Sequence, residues 1–405
     1  MIRFPRTTLA RYMADEILGL NPFSDAPNGL FLAAPRRTGK STFLLEDLKP
    51  LLESSGVLVV YVDLWADKTK PSGKLIEAAI YNKILEHMGA LDKGTRATGI
   101  QEFGVPGFIK VARSAVDPAS IEGLSLTDAF RKLRNLAKKP IVLIVDEAQQ
   151  SLVSEEGDIT MKALKSARDQ MKNEKEGRLS LVMSGSDRDK LLRLVNMNSA
   201  PFLGSNIREF PLLKEEYIDF IAGLIEKSRP DLTPLNREQL NDAFKLFGSR
   251  PQFFQQAVSE VLSPLEESQL SVEEAILGVA QRRRESDEKQ MESDFMGMAP
   301  MEQVVLWRLL EKQGDFKAYD ADALAFYTKI HGVPIVFHQA QAALDSLRER
   351  EPPMVWKSQR GEYAVEDAAM HDWYNKAKQN SNWPPGGSIK PMSLAPKRGR
   401  PKNKS

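Results

Sequence analysis

Gly29-Leu30-Phe31-Leu32-Ala33-Ala34-Pro35-Arg36-Arg37-Thr38-Gly39-Lys40-Ser41-Thr42 reads as a short apolar strand, a loop and the opening of a helix. In that setting Ala34, Pro35, Arg36, Arg37, Thr38, Gly39, Lys40, Ser41 and Thr42 form a candidate phosphate-binding loop. Gly39 lets backbone N–H groups wrap an anion, and Lys40 can reach the β and γ phosphates of a nucleotide such as ATP. The Ser41 hydroxyl can ligate Mg²⁺, and the following helix points its N-terminus at the negative charge. The pattern's first glycine is Ala34 here, and its methyl is expected to restrict the loop's entry angle. Gly-Lys-Ser alone is a weak signal, because ordinary residue usage produces such triplets by chance.

A second stretch strengthens the first. Ile141-Val142-Leu143-Ile144-Val145-Asp146-Glu147 is an apolar strand that ends in two carboxylates. Sites in parallel sheets lie at the carboxyl ends of strands. Asp146 is expected there to hold Mg²⁺, directly or through water, and Glu147 to take the proton of an attacking water. A surface Asp-Glu turn is the bland alternative; the phosphate loop upstream argues against it.

Around these two segments, strand and helix patterns alternate. Val57–Leu64, Leu179–Ser184 and Ile207–Leu212 read as further strands, with helices predicted at Lys74–Met88, Leu126–Leu136 and Asp158–Met171. Alternation of this kind predicts an α/β fold with a parallel sheet covered on both faces. Glu102–Pro118 has no period and reads as loop. From Lys214 the strands stop, and Lys214–Lys227, Asn236–Phe247, Pro251–Leu262 and Val272–Arg284 show helical spacing. Gln281–Glu292 is highly charged with mixed signs, a solvated helix or a linker. Three further helix patterns, Glu302–Lys312, Ala321–Lys329 and Phe337–Arg350, precede two strand-like segments, Met354–Lys357 and Glu362–Val365, the order of a winged helix. The expected division is a nucleotide-binding domain over 1–212, a helical lid over 213–295, a winged helix over 296–378 and a flexible basic tail over 379–405.

Composition excludes several chemistries. The chain has 405 residues and no cysteine, so disulfides, thiolate metal centres and thiol nucleophiles are out. Its four histidines, His87, His331, His338 and His371, show no ligand spacing. No run approaches the length of a membrane span, and the start lacks the apolar core of a secretory signal, so a cytoplasmic protein without membrane contact is expected. From Trp373 onward there are eight basic residues and no acid, which against a total of +1 leaves −7 for residues 1–372. A basic tail on an acidic body points towards nucleic acid or another anionic surface.

APRRTGKST at Ala34–Thr42 followed by LIVDEAQ at Leu143–Gln149 resembles the AAA+-type P-loop ATPases of the archaeal-ATPase/STAND group, over about Leu9–Leu262. The resemblance implies a P-loop NTPase parallel sheet with a helical lid, hydrolysis of ATP with Mg²⁺, and ATP-dependent self-association, because such sites usually lie at subunit boundaries. Residue by residue, it implies a phosphate sensor in Ser184-Gly185-Ser186, with Ser186 the first choice and Ser184 the second. It places an arginine finger near Gly204-Ser205, where the nearest arginine is Arg208; a surface ion pair is the alternative. It places a second sensor at Arg250, in Phe247-Gly248-Ser249-Arg250-Pro251. The catalytic candidates are thus Lys40, Glu147, Ser186, Arg250 and Arg208, with Ser41 and Asp146 as metal ligands.

Two segments are candidates for duplex DNA. Lys397-Arg398-Gly399-Arg400-Pro401-Lys402 resembles an AT-hook, in which arginines lie in the narrow minor groove of A·T-rich DNA. Gly399 has no side chain to meet the groove floor, and Pro401 favours an extended backbone. A generic polyanion-binding tail is the alternative. In the winged helix, Phe337–Arg350 offers Gln339, Gln341, Arg348 and Arg350 but also Asp345, Glu349 and the nearby Glu351, and the hairpin offers Lys357 and Arg360. Trp307, Leu310, Phe326, Leu344, Leu347 and Trp356 read as core. The sequence therefore supports an ATPase that couples nucleotide state to DNA, with mobile-element, plasmid, phage and defence biology as fitting settings. A signal-transducing NTPase switch whose winged helix binds a protein partner is the alternative.

Overall fold

The structure, a computed structural model, describes residues 2–67, 69–92, 124–172, 177–195, 200–263, 270–358, 361–367, 369–387 and 389. It divides into two compact units, Met1–Arg282 and Arg283–Ser405. The expected loop at Glu102–Pro118 and the AT-hook-like residues Lys397–Lys402 lie outside the described residues.

The first unit begins with helix α1 (Thr7–Ile17), which the sequence reading did not identify as an element, and strand β1 (Leu30–Ala33). Helix α2 (Lys40–Phe43) runs through one π-turn at Leu44–Leu48 into α3 (Lys49–Ser54). Then follow β2 (Leu58–Asp63), α4 (Ser72–Asp92), α5 (Leu126–Ala137), β3 (Ile141–Asp146), α6 (Glu155–Met171), β4 (Leu179–Gly185), α7 (Arg188–Leu192) and β5 (Ile207–Glu209). The five strands form one parallel sheet in the order β2-β3-β4-β1-β5. Its registers set Asp63 beside Asp146 and Leu32 beside Ser184. This is the parallel sheet of the α/β fold the sequence predicts, with the candidate phosphate loop leaving the carboxyl end of β1.

Strands β1 to β4 are largely buried on both faces, which is why they are mainly apolar runs, whereas the edge strand β5, Ile207-Arg208-Glu209, is not. Leu30, Leu32, Val59, Val142, Ile144 and Val182 share one core with Met13 and Ile17 of α1 and with Phe43, Leu44, Leu48 and Leu52. On the other face α4 packs on β2 and α6 on β4, with α5 against both helices. Side-chain caps start two of these helices: Ser125 accepts the Asp128 N–H ahead of α5, and Ser154 accepts the Gly157 N–H ahead of α6.

Helices α8 (Glu215–Ser228), α9 (Arg237–Leu246) and α10 (Pro251–Val261) enclose a second core of this unit, with Tyr217, Phe244 and Phe254 at its centre. The N-terminal segment joins it. Phe4 packs edge-on against Tyr217 and Phe220, and Gln255 holds the backbone N–H and C=O of Ile2. Helix α11 (Val272–Met296) is longer than its apolar spacing predicted and carries residues of both units. Its charged stretch is helical, supported by Arg284–Glu288 at 3.1 Å and Arg283–Asp287 at 4.0 Å, both four residues apart.

In the second unit α12 (Pro300–Lys312), α13 (Ala321–His331) and α14 (Phe337–Glu349) precede an antiparallel pair, β6 (Val355–Lys357) and β7 (Tyr363–Val365), and then α15 (Ala369–Gln379). Leu310, Leu344, Leu347 and Trp356 are buried, and Trp307 and Phe326 pack against that core. The stretch read as flexible from Gln379 does not begin there. Trp383 sits among Phe295, Trp373 and Tyr374, with ring centroids 5.0, 5.3 and 4.7 Å away, and Ile389 is buried. One tryptophan and one isoleucine in a Pro/Gly-rich stretch are enough to anchor it, which a compositional reading passes over.

Candidate functional site

The loop between β1 and α2 is held at both ends. Ala34 N–H donates to the Gly185 carbonyl at 3.1 Å, and the Thr38 hydroxyl donates to the Pro35 carbonyl at 2.7 Å. Gly39 has φ 90°, the left-handed conformation a glycine adopts at least cost, and a Cβ built there meets nothing within 4 Å. The requirement for glycine is therefore conformational, and the space beside it is open. Ala34 is buried and its backbone lies outside the left-handed region, so its methyl is accommodated without backbone strain.

Lys40 opens α2 and turns inwards; only 5% of it is exposed. Its ammonium pairs with Asp146 Oδ1 and donates to Ser184 Oγ at 3.1 Å. Asp146 is 1% exposed, and its donors converge from α2, β2, the end of β4 and the residue that follows β3. Lys40, Ser184 and its neighbour's Glu147 N–H serve Oδ1, while Ser41 and Tyr61 serve Oδ2, the last at 3.1 Å. Burial pushes the Asp146 carboxyl up, but the Lys40 charge and the Lys40, Ser184 and Ser41 hydrogen bonds outweigh it and hold the group below the usual carboxylate range. Asp63, beside Asp146 in register, is pushed the other way by burial and by the charges of Asp146 and Glu147, against the Trp65 N–H and Lys40. Burial and the Asp146 charge raise the Tyr61 phenol, so it stays a donor.

Glu147 follows β3 with φ 54°. Its Oε1 lies 3.8 Å from Lys40 Nζ. Its Oε2 accepts from Ser186 at 2.8 Å and from Gln149 Nε2 at 2.5 Å. Two serines of one strand end thus divide the work: Ser184 contacts Lys40 and Asp146, and Ser186 contacts Glu147.

The loop arginines are exposed and stacked. Arg36 lies 4.5 Å over the Trp65 ring, and Arg37 lies 4.9 Å over Phe253 of α10. Arg250 approaches the same Phe253 ring at 5.8 Å. Two guanidiniums on one ring form a cationic rim that an anion would stabilise. Arg208 is placed differently. It lies on β5, 2.6 Å from Glu16 and 2.9 Å from Asp25, and is not brought to Lys40, Asp146 and Glu147. Thr42 is exposed at the start of α2.

The donor set fits a nucleotide with magnesium. The open space at Gly39 and the Lys40 ammonium suit phosphates, and the Ser41 hydroxyl and Asp146 carboxylate are hard oxygen ligands suited to Mg²⁺. Among the described residues, no group of three or more His, Cys, Asp or Glu could hold a metal by itself, so the remaining ligands would come from phosphates and water. The sequence reading missed Tyr61, Asp63 and the role of Gln149. Tyr61 and Asp63 sit on an unmotifed strand, two residues apart on one face, next to the strand that ends in Asp146.

Among the candidate DNA contacts on the second unit, most are engaged internally. Arg348 pairs with Asp345 at 3.0 Å, Arg350 with Glu302 at 3.0 Å, and Gln339 accepts the Val336 N–H at 3.0 Å. Lys357 lies over Tyr363, and Arg360 falls outside the described residues. Among the described residues, no helix is long and apolar enough to cross a membrane.

No protein-family model and no curated protein matches this chain. Among solved structures it is similar to a Walker-type ATPase of Pyrococcus abyssi, 16% identical over 92% of this chain and 96% of that one, with a TM-score of 0.49. It is also similar to the ORC2 protein of Aeropyrum pernix in its ADP form, 13% identical over 93% of each chain, with a TM-score of 0.49. The AMPPCP-bound DnaA of Aquifex aeolicus is 13% identical over 94% of this chain and 96% of that one, with a TM-score of 0.35. At such identities and scores the likeness says nothing of activity, which is argued below from the residues of this chain.

Proposed function

We propose that this chain is an AAA+-type ATPase that binds ATP with Mg²⁺, hydrolyses it, and couples its nucleotide state to duplex DNA. The observation that carries the proposal is the buried Lys40–Asp146 pair with Ser41 and Glu147 on it, at the carboxyl end of a parallel sheet. Lys40 and the loop N–H groups bind the phosphates, and Arg37 and Arg250 face the same anion from the α10 side. Ser41 and Asp146 hold the magnesium, whose charge when bound offsets the negative charge that builds on the phosphates. Glu147 takes the proton of the attacking water through Oε1, its oxygen on the Lys40 side. Ser184 keeps Lys40 and Asp146 in register, and Ser186 orients Glu147.

Duplex DNA, preferentially A·T-rich, is assigned to the tail on the strength of Arg398-Gly399-Arg400-Pro401 and its flanking lysines. ATP-dependent self-association belongs to the same proposal, with the subunit boundary at the nucleotide. A second reading, a switch whose winged-helix-like unit binds a protein, is favoured by one observation. The arginines of α14 and its C-cap are paired internally, while Val336 and Phe337 at its start are 47% and 55% exposed.

The test separates binding from turnover. Lys40→Ala is expected to lose most ATP binding, and Glu147→Gln to keep binding while hydrolysis slows. Unchanged hydrolysis in both purified variants would remove the site assignment.

A further inference from the structure

Gln149, 1% exposed, carries a buried amide of which only one side is satisfied. Its Nε2 donates to Glu147 Oε2 at 2.5 Å and lies 3.3 Å from Ser186 Oγ. Its Oε1 is buried without a hydrogen-bond partner. Such an acceptor is rare in a native core and calls for a reason. The reason here is Glu147: turning the amide over would set Oε1 against the carboxylate and remove the donor.

The backbone makes room for this arrangement. A Cβ added at Gly185 would stand 2.6 Å from Gln149 Oε1 and 3.3 Å from Leu191 Cδ1. Gly185 lies outside the left-handed region, so the glycine is there for space and not for conformation. Glu147 itself leaves β3 from a left-handed backbone, φ 54°, and needs its side chain steered. With Ser186 and Gln149 both on Oε2, the other oxygen is the one turned towards Lys40.

We propose that Gln149 is the positioning residue of Glu147, and that Gly185 is present to admit it. The amide ties the glutamate to Ser186 at the end of β4, so that Oε1 meets the reacting water and any movement of Ser186 is passed to the base. This rests on the ATPase reading above.

The test uses the full chain in three forms: Gln149→Met, which keeps the volume and loses the donor; Gly185→Ala, which keeps the glutamine and displaces it; and the two combined. Each single variant should lower kcat about tenfold or more, the scale of a misplaced catalytic group. KM for ATP and affinity for a slowly hydrolysed analogue should hardly move. In the double variant Gly185→Ala should add nothing, because the glutamine it displaces is gone. A crystal structure of Gln149→Met should show the Glu147 carboxylate rotated away from Ser186. Full kcat in folded Gln149→Met, additive losses, or a Glu147 still bonded to Ser186 would overturn the inference. If Gln149→Met fails to fold, Gly185→Ala alone decides through its kcat and its own Glu147 position. A wild-type chain that does not hydrolyse ATP removes the underlying reading, whereas active wild type with unaffected variants removes this inference alone.

Discussion

Replacing Lys40 with methionine should destabilise the first unit even without nucleotide. The side chains of Lys40 and Asp146 are 5% and 2% exposed, so each is the other's compensation for leaving water. Removing one member of a fully buried pair typically costs about 3–5 kcal/mol, because the other is left charged and uncompensated. Asp146 keeps hydrogen bonds from Ser41, Ser184, Tyr61 and the Glu147 N–H, which softens the loss to roughly 2–3 kcal/mol. At about 2–4 °C per kcal/mol for a domain of this size, Tm should fall by about 5–10 °C. Lys40→Met combined with Asp146→Asn should recover most of that fall, since neither charge is then buried. Calorimetric melts of the three proteins without nucleotide read this directly. A Lys40→Met protein that melts within a degree or so of wild type, or a double variant less stable than the single one, would refute the reasoning.

Arg208→Ala should lower Tm by several degrees, because Glu16, with 3% of its side chain exposed, loses its cation, while turnover of the folded protein stays largely intact. Loss of turnover at unchanged Tm would instead favour the arginine-finger role. Burial pushes Glu288 up, but Lys376 and Arg284 hold it below the ordinary glutamate range. Its contribution is therefore present above that range and lost as pH falls through the lower folded value, so Glu288→Gln should flatten the acid side of the second unit's melting profile, measured by circular dichroism. Deleting Pro396–Ser405 removes five cations and should flatten log K against log salt for duplex DNA by at most about 4.5, at about 0.9 per phosphate neutralised.

The sheet was legible because β1 to β4 are largely buried on both faces and so carry mainly apolar runs; these four start and end within a residue or two of the expected spans. Strand β5 was predicted longer than it is: it ends at Glu209, with the Phe210 N–H making a last bond to the Ala33 carbonyl at 2.8 Å and the Phe210 ring packed against Phe43. Helix α1 was missed, since Arg6 at its start offers no side-chain cap. Helix α11 was cut short because its charged middle has no apolar period and is supported by ion pairs four residues apart, before Met291 and Phe295 reach the core of the second unit. Within the site, Lys40, Ser41, Asp146 and Glu147 were legible by spacing, and the structure brings the four together. Tyr61 and Gln149 were not: their roles come from strand register and from a three-way contact between β3 and β4, which one-dimensional spacing does not encode.

The most direct measurement is ATP hydrolysis by the purified full chain with magnesium, with and without A·T-rich duplex DNA, beside Glu147→Gln under the same conditions. The wild type should turn over ATP and change its rate when the duplex is added, and Glu147→Gln should show little turnover in either case. No turnover by the wild type under any of these conditions, or turnover that Glu147→Gln retains in full, would contradict the proposed function.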